Sequence, residues 1–229
     1  MTGSKKKLLI VGDGETAELA YSYFTADSEF EVVGFAAEAA FKRNTSLFGL
    51  PVVDFESVDQ VFDPPQHYAF VAISYTNLNH LRSRLFTETK NKGYQPCSYI
   101  SPRAYIAQGV QLGENCFILE NATVQRGAKI GDDVTVWSGS AVGHRSVIGD
   151  HCFLATHVAV SGFCEVGESS FLGVNSCTAS TVKIGRDCVV GAGAVVTADT
   201  LAGHVYVGNP AKALPNKQTD VFIEGAETI

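Results

Sequence analysis

Three of the six histidines in this 229-residue chain lie close together, between Val142 and Gly162. A histidine can act as a general base near neutral pH, and neutral imidazole is a common metal ligand. His144, His151 and His157 could therefore form a metal site, a base with helper residues, or three solvent-facing rings. The choice depends on the elements that carry them.

The chain around these histidines repeats every six residues, and fifteen of sixteen positions in the first column are aliphatic. This column is Ile106, Leu112, Ile118, Val124, Ile130, Val136, Val142, Ile148, Leu154, Val160, Val166, Leu172, Thr178, Ile184, Val190 and Val196. Four residues after each of these lies a small residue, and a glycine often follows the aliphatic one directly. The glycines are Gly113, Gly131, Gly143, Gly149, Gly167, Gly173, Gly185 and Gly191.

One large and one small inward residue per hexad, with a glycine that permits the turn, predicts one side of a triangular parallel β-helix. Three hexads form one coil, stacked coils lie roughly 4.8 Å apart, and about five coils fit before Thr200. Cys116, Cys152, Cys164 and Cys188 fall in the small inward column, so we expect them to pack in the core rather than to bind metal or act in redox chemistry.

The repeat also separates the three histidines. They lie in three consecutive hexads, which are the three sides of one coil. Their side chains therefore cannot converge on one ion within a single chain, although an open zinc site needs three convergent ligands.

The first 96 residues have a different pattern, which predicts a small α/β domain with a Rossmann-like βαβ unit. The predicted elements are strands at 8–11, 32–35 and 69–73, a helix from the glycine turn at 12–17 to about residue 24, and a helix over 79–92 that ends at Gly93. Such a turn can bind phosphate at a helix N-terminus, but the charges of Asp13 and Glu15 argue against a tightly held pyrophosphate. The turn could instead hold a base or sugar edge, or be a tight turn only.

A small α/β domain followed by this repeat resembles the nucleotide-aminosugar N-acetyltransferases of bacterial glycan pathways and the related sialic acid O-acyltransferases. The resemblance covers nearly the whole chain and is most specific in VGHRSVIGD (142–150), FLGVNSC (171–177) and VGNPAK (207–212). It implies a nucleotide-sugar-binding α/β domain over 1–96, an all-β left-handed parallel β-helix over 97–212, and a C-terminal tail over 213–229. It also implies a homotrimer with the acyl-CoA cleft between adjacent β-helices.

The reaction that the resemblance implies is acetyl transfer from acetyl-CoA to the amine of a nucleotide-linked amino sugar. The acceptor expected is a 4-amino-4,6-dideoxy sugar for bacterial surface glycans such as the O-antigen of lipopolysaccharide, with His144 as the general base. Arg145 stands where the family usually has an acidic residue that orients the base. We therefore expect another carboxylate to orient the ring, and Arg145 to favour the neutral ring or to reach a phosphate.

The remaining site residues also come from the resemblance. Phe153 occupies the place of a second family histidine, and His157 is a candidate substitute for it. The residues implied for acyl-CoA are Phe153, Gly162, Gly173, Val174, Ala192 and Lys212. Those implied for the nucleotide-sugar are Gly12, Asp13, Gly14, Glu15, Ser74, Asn79 and Arg82. Ala36 and Ala37 stand where relatives often carry base-reading acidic residues, so the nucleotide is left open.

Other readings fit the same residues: O-acetylation of a sugar hydroxyl, a metal-dependent lyase like the γ-class carbonic anhydrases, or a non-catalytic β-helix that binds a nucleotide-sugar or serves as a scaffold. The net charge of −7, with no basic run longer than residues 5–7, argues against nucleic acid and anionic membranes as partners. Only four apolar residues follow that run, too few for a signal peptide or membrane span, so we expect a soluble cytoplasmic protein.

Overall fold

The structure, a computed structural model, describes residues 5–219. Within this range the internal contacts define two compact units, residues 5–74 with 84–99 and residues 75–83 with 100–219. The segment 75–83 thus belongs by its contacts to the second unit. The predicted C-terminal tail, 213–229, lies partly outside the described residues.

The first unit is an α/β unit built on a mostly parallel sheet. Its elements, with the helix that spans both units, are β1 (Lys6–Val11), α1 (Glu15–Asp27), β2 (Phe30–Ala37), β3 (Ser46–Leu47), β4 (Leu50–Asp54), β5 (Tyr68–Val71), α2 (His80–Asn91) and β6 (Gln95–Pro96). Two short 3₁₀ helices cover Phe55–Gln60 and Pro64–Gln66. The strand order is β3-β4-β2-β1-β5-β6, and only the β3–β4 hairpin is antiparallel.

The predicted βαβ unit is confirmed, because β1 pairs in parallel with β2 after α1 crosses between them. The apolar end of β1 and the helix residues Ala17, Ala20 and Phe24 are buried. Of the strands that the sequence did not predict, β3 and β6 have two residues each, too few to show a hydrophobic period, whereas β4 has five and pairs between β3 and β2. The predicted end of α2 is confirmed by Gly93, whose φ of +91° follows the last helical turn.

The second unit is a parallel β-helix whose sides are two-residue strands. The strands are β7 (Tyr99–Ile100), β8 (Tyr105–Ile106), β9 (Gln111–Leu112), β10 (Phe117–Ile118), β11 (Thr123–Val124), β12 (Lys129–Ile130), β13 (Thr135–Val136), β14 (Ala141–Val142), β15 (Val147–Ile148), β16 (Phe153–Leu154), β17 (Ala159–Val160), β18 (Glu165–Val166), β19 (Phe171–Leu172), β20 (Cys177–Thr178), β21 (Lys183–Ile184), β22 (Val189–Val190), β23 (Val195–Val196), β24 (His204–Val207) and β25 (Lys212–Gln218).

From β7 to β23 every third strand falls in the same sheet, as the six-residue repeat predicts, and the first sheet then continues with β24 and its antiparallel partner β25. The first sheet runs β7-β10-β13-β16-β19-β22-β24-β25, the second β8-β11-β14-β17-β20-β23, and the third β9-β12-β15-β18-β21. Paired residues such as Val124 and Val142 are one coil apart in the chain, and both are fully buried. The coil is left-handed, as the resemblance implied.

The small inward cysteines are buried, which confirms their predicted place in the core. Their thiols also donate to backbone carbonyl oxygens of the next coil, as Cys152 Sγ does to Gly167 O at 3.1 Å. Ser140 and Ser146 make the same contact through their hydroxyl groups. Burial raises the pKa of Cys152 to about 12, which keeps this thiol protonated and unreactive.

The role predicted for the repeat glycines is wrong. None of the eight has a positive φ; that conformation falls two residues later in the hexads, as at Asp133 and Arg145. The glycines are instead required by close stacking, because a Cβ on Gly143 would lie 2.5 Å from the backbone nitrogen of Gly162 in the next coil. The turn itself is made by Asn, Asp, Gly and other residues in the left-handed region, which Asn and Asp tolerate best after Gly.

Candidate functional site

The three turns of each coil stack into three edges, and each edge carries one of the central histidines. The His144 edge lies between the second and third sheets and contains turns 125–128, 143–146 and 161–164. The His151 edge lies between the third and first sheets and contains turns 131–134, 149–152 and 167–170. The His157 edge lies between the first and second sheets and contains turns 137–140, 155–158 and 173–176. The expected separation of the three histidines is therefore confirmed.

His144 is exposed, and its ring is held by neighbours from the two adjacent coils. Gln125 Oε1 accepts a hydrogen bond from the backbone nitrogen of His144 at 3.0 Å and lies 3.3 Å from the ring Nδ1. The ring meets the Phe163 ring edge-on, with centroids 4.9 Å apart. A Cβ on Gly162 would lie 2.5 Å from Cε1 of His144, so this glycine leaves the space that the ring occupies.

Within residues 5–219, the expectation that a carboxylate orients His144 is wrong, because the group beside Nδ1 is the Gln125 amide. Arg145 has a φ of +57°, and its guanidinium lies over the Phe163 ring, 5.7 Å from the centroid. Sequence reasoning missed Gln125 because it precedes His144 by 19 residues. The coil length was the available signal, since it places residues 125 and 126 next to 143 and 144.

The residues predicted to bind acyl-CoA fall on several parts of the β-helix. Val174 and Ala192 are exposed on the His157 edge with His157 itself, whereas Gly162 lies under His144. Lys212 is exposed at the start of β25, where its register partner is Val207. One chain thus brings only Gly162 of these residues to the edge of the predicted base, whereas Val174 and Ala192 lie on another edge.

Gly173 and Phe153 are less open to a ligand than the sequence suggested. A Cβ on Gly173 would lie 2.7 Å from the backbone nitrogen of Ala192, so its missing side chain permits coil stacking. Phe153 is 4% exposed, stacks on Phe171 at 5.6 Å, and is covered by Tyr75 at 5.3 Å. Phe153 therefore packs the first sheet against segment 75–83.

Two residues predicted for the nucleotide-sugar, Asn79 and Arg82, are buried in the second unit. Arg82 Nε donates to Asp133 Oδ2 at 3.0 Å, and its Nη2 donates to His151 O at 2.9 Å. Asn79 Nδ2 donates to Ser169 O at 3.1 Å. These contacts fasten segment 75–83 to the His151 edge, so the polar groups of both side chains already have protein partners.

His151 completes the same buried network. Its Nδ1 donates to Asp133 Oδ2 at 2.9 Å, and Asn115 Nδ2 donates to Asp133 Oδ1 at 2.7 Å. Asp133 is 1% exposed, so its charge is compensated inside the protein by Arg82 and by hydrogen bonds. The six-residue repeat does not distinguish His151 from the other two histidines, because its partner Asp133 lies 18 residues earlier in the chain.

In the first unit the glycine turn lies at the carboxyl ends of β1, β2 and β5, where doubly wound sheets bind ligands. Gly12 has a φ of +130°, and a Cβ there would lie 2.7 Å from Ala72 O. Gly14 forms the N-cap of α1 without a side-chain cap, and Glu15 is exposed at the first helical position. Ser74 lies three residues beyond the end of β5.

The carboxylate of Asp13, whose charge was expected to oppose a tightly held pyrophosphate, is buried and has protein partners. Asp13 is 7% exposed and its Oδ2 accepts from the backbone nitrogens of Arg43 and Asn44, at 2.6 and 3.0 Å. The guanidinium of Arg43 comes to the helix N-terminus, 3.7 Å from where a Cβ of Gly14 would lie. The negative charge of Asp13, which was expected to disfavour phosphate, therefore holds the loop at Arg43 and Asn44. That loop brings the Arg43 guanidinium to the turn, a cation that was not predicted from the sequence.

Residues 5–219 contain no group of three or more His, Cys, Asp or Glu side chains that could hold a metal ion. No helix in this range has the length and apolar character needed to cross a membrane.

Comparison with known proteins identifies the repeat and the architecture. The model described as hexapeptide repeat of succinyl-transferase matches residues 109–144 and 165–198, and the model for the bacterial transferase hexapeptide (six repeats) matches residues 127–162. No curated protein matches the chain in sequence.

Solved structures resemble the chain over nearly its whole length. A mutant of perosamine N-acetyltransferase from Caulobacter crescentus, in complex with CoA and GDP-perosamine, is 28% identical with a TM-score of 0.83, covering 92% of this chain and 97% of its own. The acetyltransferase domain of PglB from Neisseria gonorrhoeae FA1090 is 24% identical with a TM-score of 0.83, covering 92% and 100%. WeeI from Acinetobacter baumannii AYE is 24% identical with a TM-score of 0.77, covering 90% and 99%.

The two proteins below 25% identity share the fold, and the Caulobacter enzyme adds a sequence likeness that spans both units. The chain therefore carries the hexapeptide repeat of bacterial transferases and has the architecture of a left-handed β-helix preceded by an α/β unit.

Proposed function

We propose that this protein transfers the acetyl group of acetyl-CoA to the amine of a nucleotide-linked amino-deoxy sugar, with His144 as the general base. The observation that carries the proposal is the likeness across both units to an enzyme whose structure holds CoA and GDP-perosamine together. The expected acceptor is a 4-amino-4,6-dideoxy sugar used in bacterial surface glycans.

The chemistry requires one base. The sugar nitrogen attacks the thioester carbonyl carbon and forms the new C–N bond, while Nε2 of His144 removes a proton from that nitrogen. The C–S bond of the tetrahedral intermediate then breaks, and the CoA thiolate leaves and takes up the proton. The exposure of His144 gives a bulky acceptor access to the ring, and Arg145 and Arg126 on the same edge supply positive charge for phosphate groups.

The nucleotide part is assigned to the first unit. The glycine turn at the carboxyl ends of the parallel strands, with Arg43 beside the α1 N-terminus, offers backbone N–H groups and a cation to a phosphate. Asp13 supports this arrangement indirectly, because its carboxylate holds the Arg43 loop.

A homotrimer is part of the proposal because a single chain leaves the predicted site divided. The second sheet separates the His144 edge from the His157 edge, and its outward residues are mostly small, including Ala141 and Ala159. In a closed ring, the His144 edge of one copy can adjoin the His157 edge of the next, where Val174 and Ala192 are exposed. The mass in solution, expected to equal three chains, checks this arrangement.

The direct test is thiol release from acetyl-CoA with UDP-, GDP- and dTDP-linked 4-amino-6-deoxy sugars as acceptors. We expect turnover with one nucleotide class and a loss of roughly 10²- to 10⁴-fold in His144→Ala, the usual contribution of a positioned general base. His151→Ala, on the next edge of the same coil, is the matched control and should retain turnover per folded chain.

Other outcomes overturn the proposal in defined ways. Thiol release with hydroxyl-bearing sugars, but not with amino sugars, would identify O-acetylation. Silence with every acceptor, together with binding of a nucleotide-sugar, would identify a non-catalytic binding protein. Full activity of His144→Ala would remove the assigned base while leaving the acetyl transfer itself in place.

A further inference from the structure

We propose that Gln125 is the positioning residue for His144: its side-chain oxygen selects the ring tautomer that leaves Nε2 free to accept a proton. The expected effect on kcat rests on the proposed function. The tautomer itself does not, because it can be measured without any turnover.

The orientation of the Gln125 amide follows from its partner. Gln125 Oε1 lies 3.0 Å from the backbone nitrogen of His144, and a backbone N–H can only donate. If the amide were flipped, two donors would face each other. The atom that Gln125 presents to His144 is therefore its carbonyl oxygen.

The same oxygen determines where the ring hydrogen lies. Nδ1 of His144 is 3.3 Å from Gln125 Oε1, and an amide oxygen has no hydrogen to donate. The contact is favourable only when Nδ1 carries the hydrogen, and in a neutral ring the lone pair then lies on Nε2. Nε2 is the nitrogen that the proposed reaction uses.

The neighbouring coil keeps the ring in this position. Gly162 provides the space under the ring, and the Phe163 ring closes one side with its centroid 4.9 Å away. Rotation of the ring would break the Gln125 contact and press the ring against these residues. Gln125 therefore selects the tautomer, and residues 162 and 163 restrict the ring rotamer.

A neutral partner has a different effect from a carboxylate. A carboxylate beside the ring stabilises the imidazolium and keeps a proton on the base to higher pH, whereas an amide accepts the same hydrogen bond with much less stabilisation of that charge. The charged groups on this edge are the cations Arg126, on the preceding coil, and Arg145; Gly162 and Phe163 on the following coil are uncharged. Gln125 thus orients the base without placing a negative charge beside it.

The first experiment measures side-chain ¹⁵N shifts of His144 by NMR in the whole protein, assigned with His144→Ala. The wild type should show the Nδ1–H tautomer, and Gln125→Ala should show hydrogen distributed over both nitrogens. Gln108→Ala, an exposed glutamine on the preceding coil, is the matched control and should match the wild type. A wild-type ring with its hydrogen on Nε2, or an unchanged tautomer in Gln125→Ala, would overturn the proposal.

The kinetic experiment separates positioning from general structural support. Gln125→Ala should lower kcat about tenfold, the loss of one ordinary hydrogen bond, with the KM for acetyl-CoA unchanged. Gln125→Glu keeps the hydrogen-bond acceptor, so it should recover kcat at high pH. The acidic limb of its kcat–pH profile should move up by about one pH unit, because the added carboxylate stabilises the imidazolium. An unshifted limb in Gln125→Glu contradicts the assignment. If His144→Ala is fully active, the base assignment fails, whereas the tautomer measurement still decides the role of Gln125.

Discussion

His144 and His151 lie seven residues apart on neighbouring edges of the β-helix, and their surroundings are opposite. His144 is exposed, faces a neutral amide and has two arginines nearby. His151 is paired with a buried carboxylate that also binds Arg82. A histidine–carboxylate pair is often the mark of a catalytic base, but here the pair holds segment 75–83 to the coils. The candidate base is instead the histidine with no acidic partner among the described contacts.

The surroundings of each histidine decide its role. Asp133 already accepts hydrogen bonds from Arg82, Asn115 and His151, and it lies at a buried edge. A ring held in this way cannot move a proton without disturbing a buried charge. His144 is exposed and its ring meets no carboxylate among the described contacts, which suits a group that must exchange a proton with a substrate.

The largest effect expected from this comparison is on stability, in Asp133→Ala. Removing this carboxylate leaves Arg82 as an uncompensated buried charge, so we expect a loss of about 3–5 kcal/mol in the free energy of unfolding, measured by urea denaturation. Asp132→Ala, at the adjacent and more exposed position, removes one exposed acceptor of the Glu114 backbone nitrogen and leaves no buried charge unpaired, so it should cost about 1 kcal/mol. Equal losses in the two variants would show that the buried network does not fasten the segment.

His151→Ala should have an intermediate effect on stability and none on turnover per folded chain. Its ring donates one hydrogen bond to a charged group, which is worth about 1.5–3 kcal/mol, and the remaining partners of Asp133 stay in place. Thermal unfolding and thiol release on the same samples measure both quantities. A large fall in turnover with normal stability would reverse the roles given to the two histidines.

Gly162→Ala should have the smallest effect, confined to the His144 edge. The added methyl group would lie 2.5 Å from Cε1 of His144, and the flexible ring would have to move. We expect kcat to fall about tenfold with an unchanged KM for acetyl-CoA and little change in stability.

The double variant with His144→Ala is the control for this change. Because the methyl group acts through the ring, it should lower turnover no further once the ring is absent. A rise in KM for acetyl-CoA without a change in kcat would instead support the direct contact with the acyl donor that the sequence predicted for Gly162.

The repeat could be predicted from the sequence because each of its signals is local and periodic. One aliphatic residue every six positions, with a small residue four positions later, is enough to define the three sheets and to bury the four inward cysteines. The βαβ unit was predictable for the same reason. The short strands β3 and β6 were not, since two residues carry no usable period.

The roles of the repeat glycines, Arg43 and Arg82 depend on contacts between residues that lie far apart in the sequence. The left-handed turn position has no single residue type, and the repeat glycines serve coil stacking rather than the turn. Arg43 reaches the glycine turn only because Asp13 holds its loop, and Arg82 is buried only because Asp133 lies on the facing edge.

By itself, the sequence determined that the chain would form a β-helix and that the three histidines would lie on three different edges, since both follow from the period. The tertiary structure alone decided which histidine meets an amide and which meets a buried carboxylate. Those partners come from other coils, where the stacking of one coil on the next places side chains 18 or 19 residues apart in direct contact.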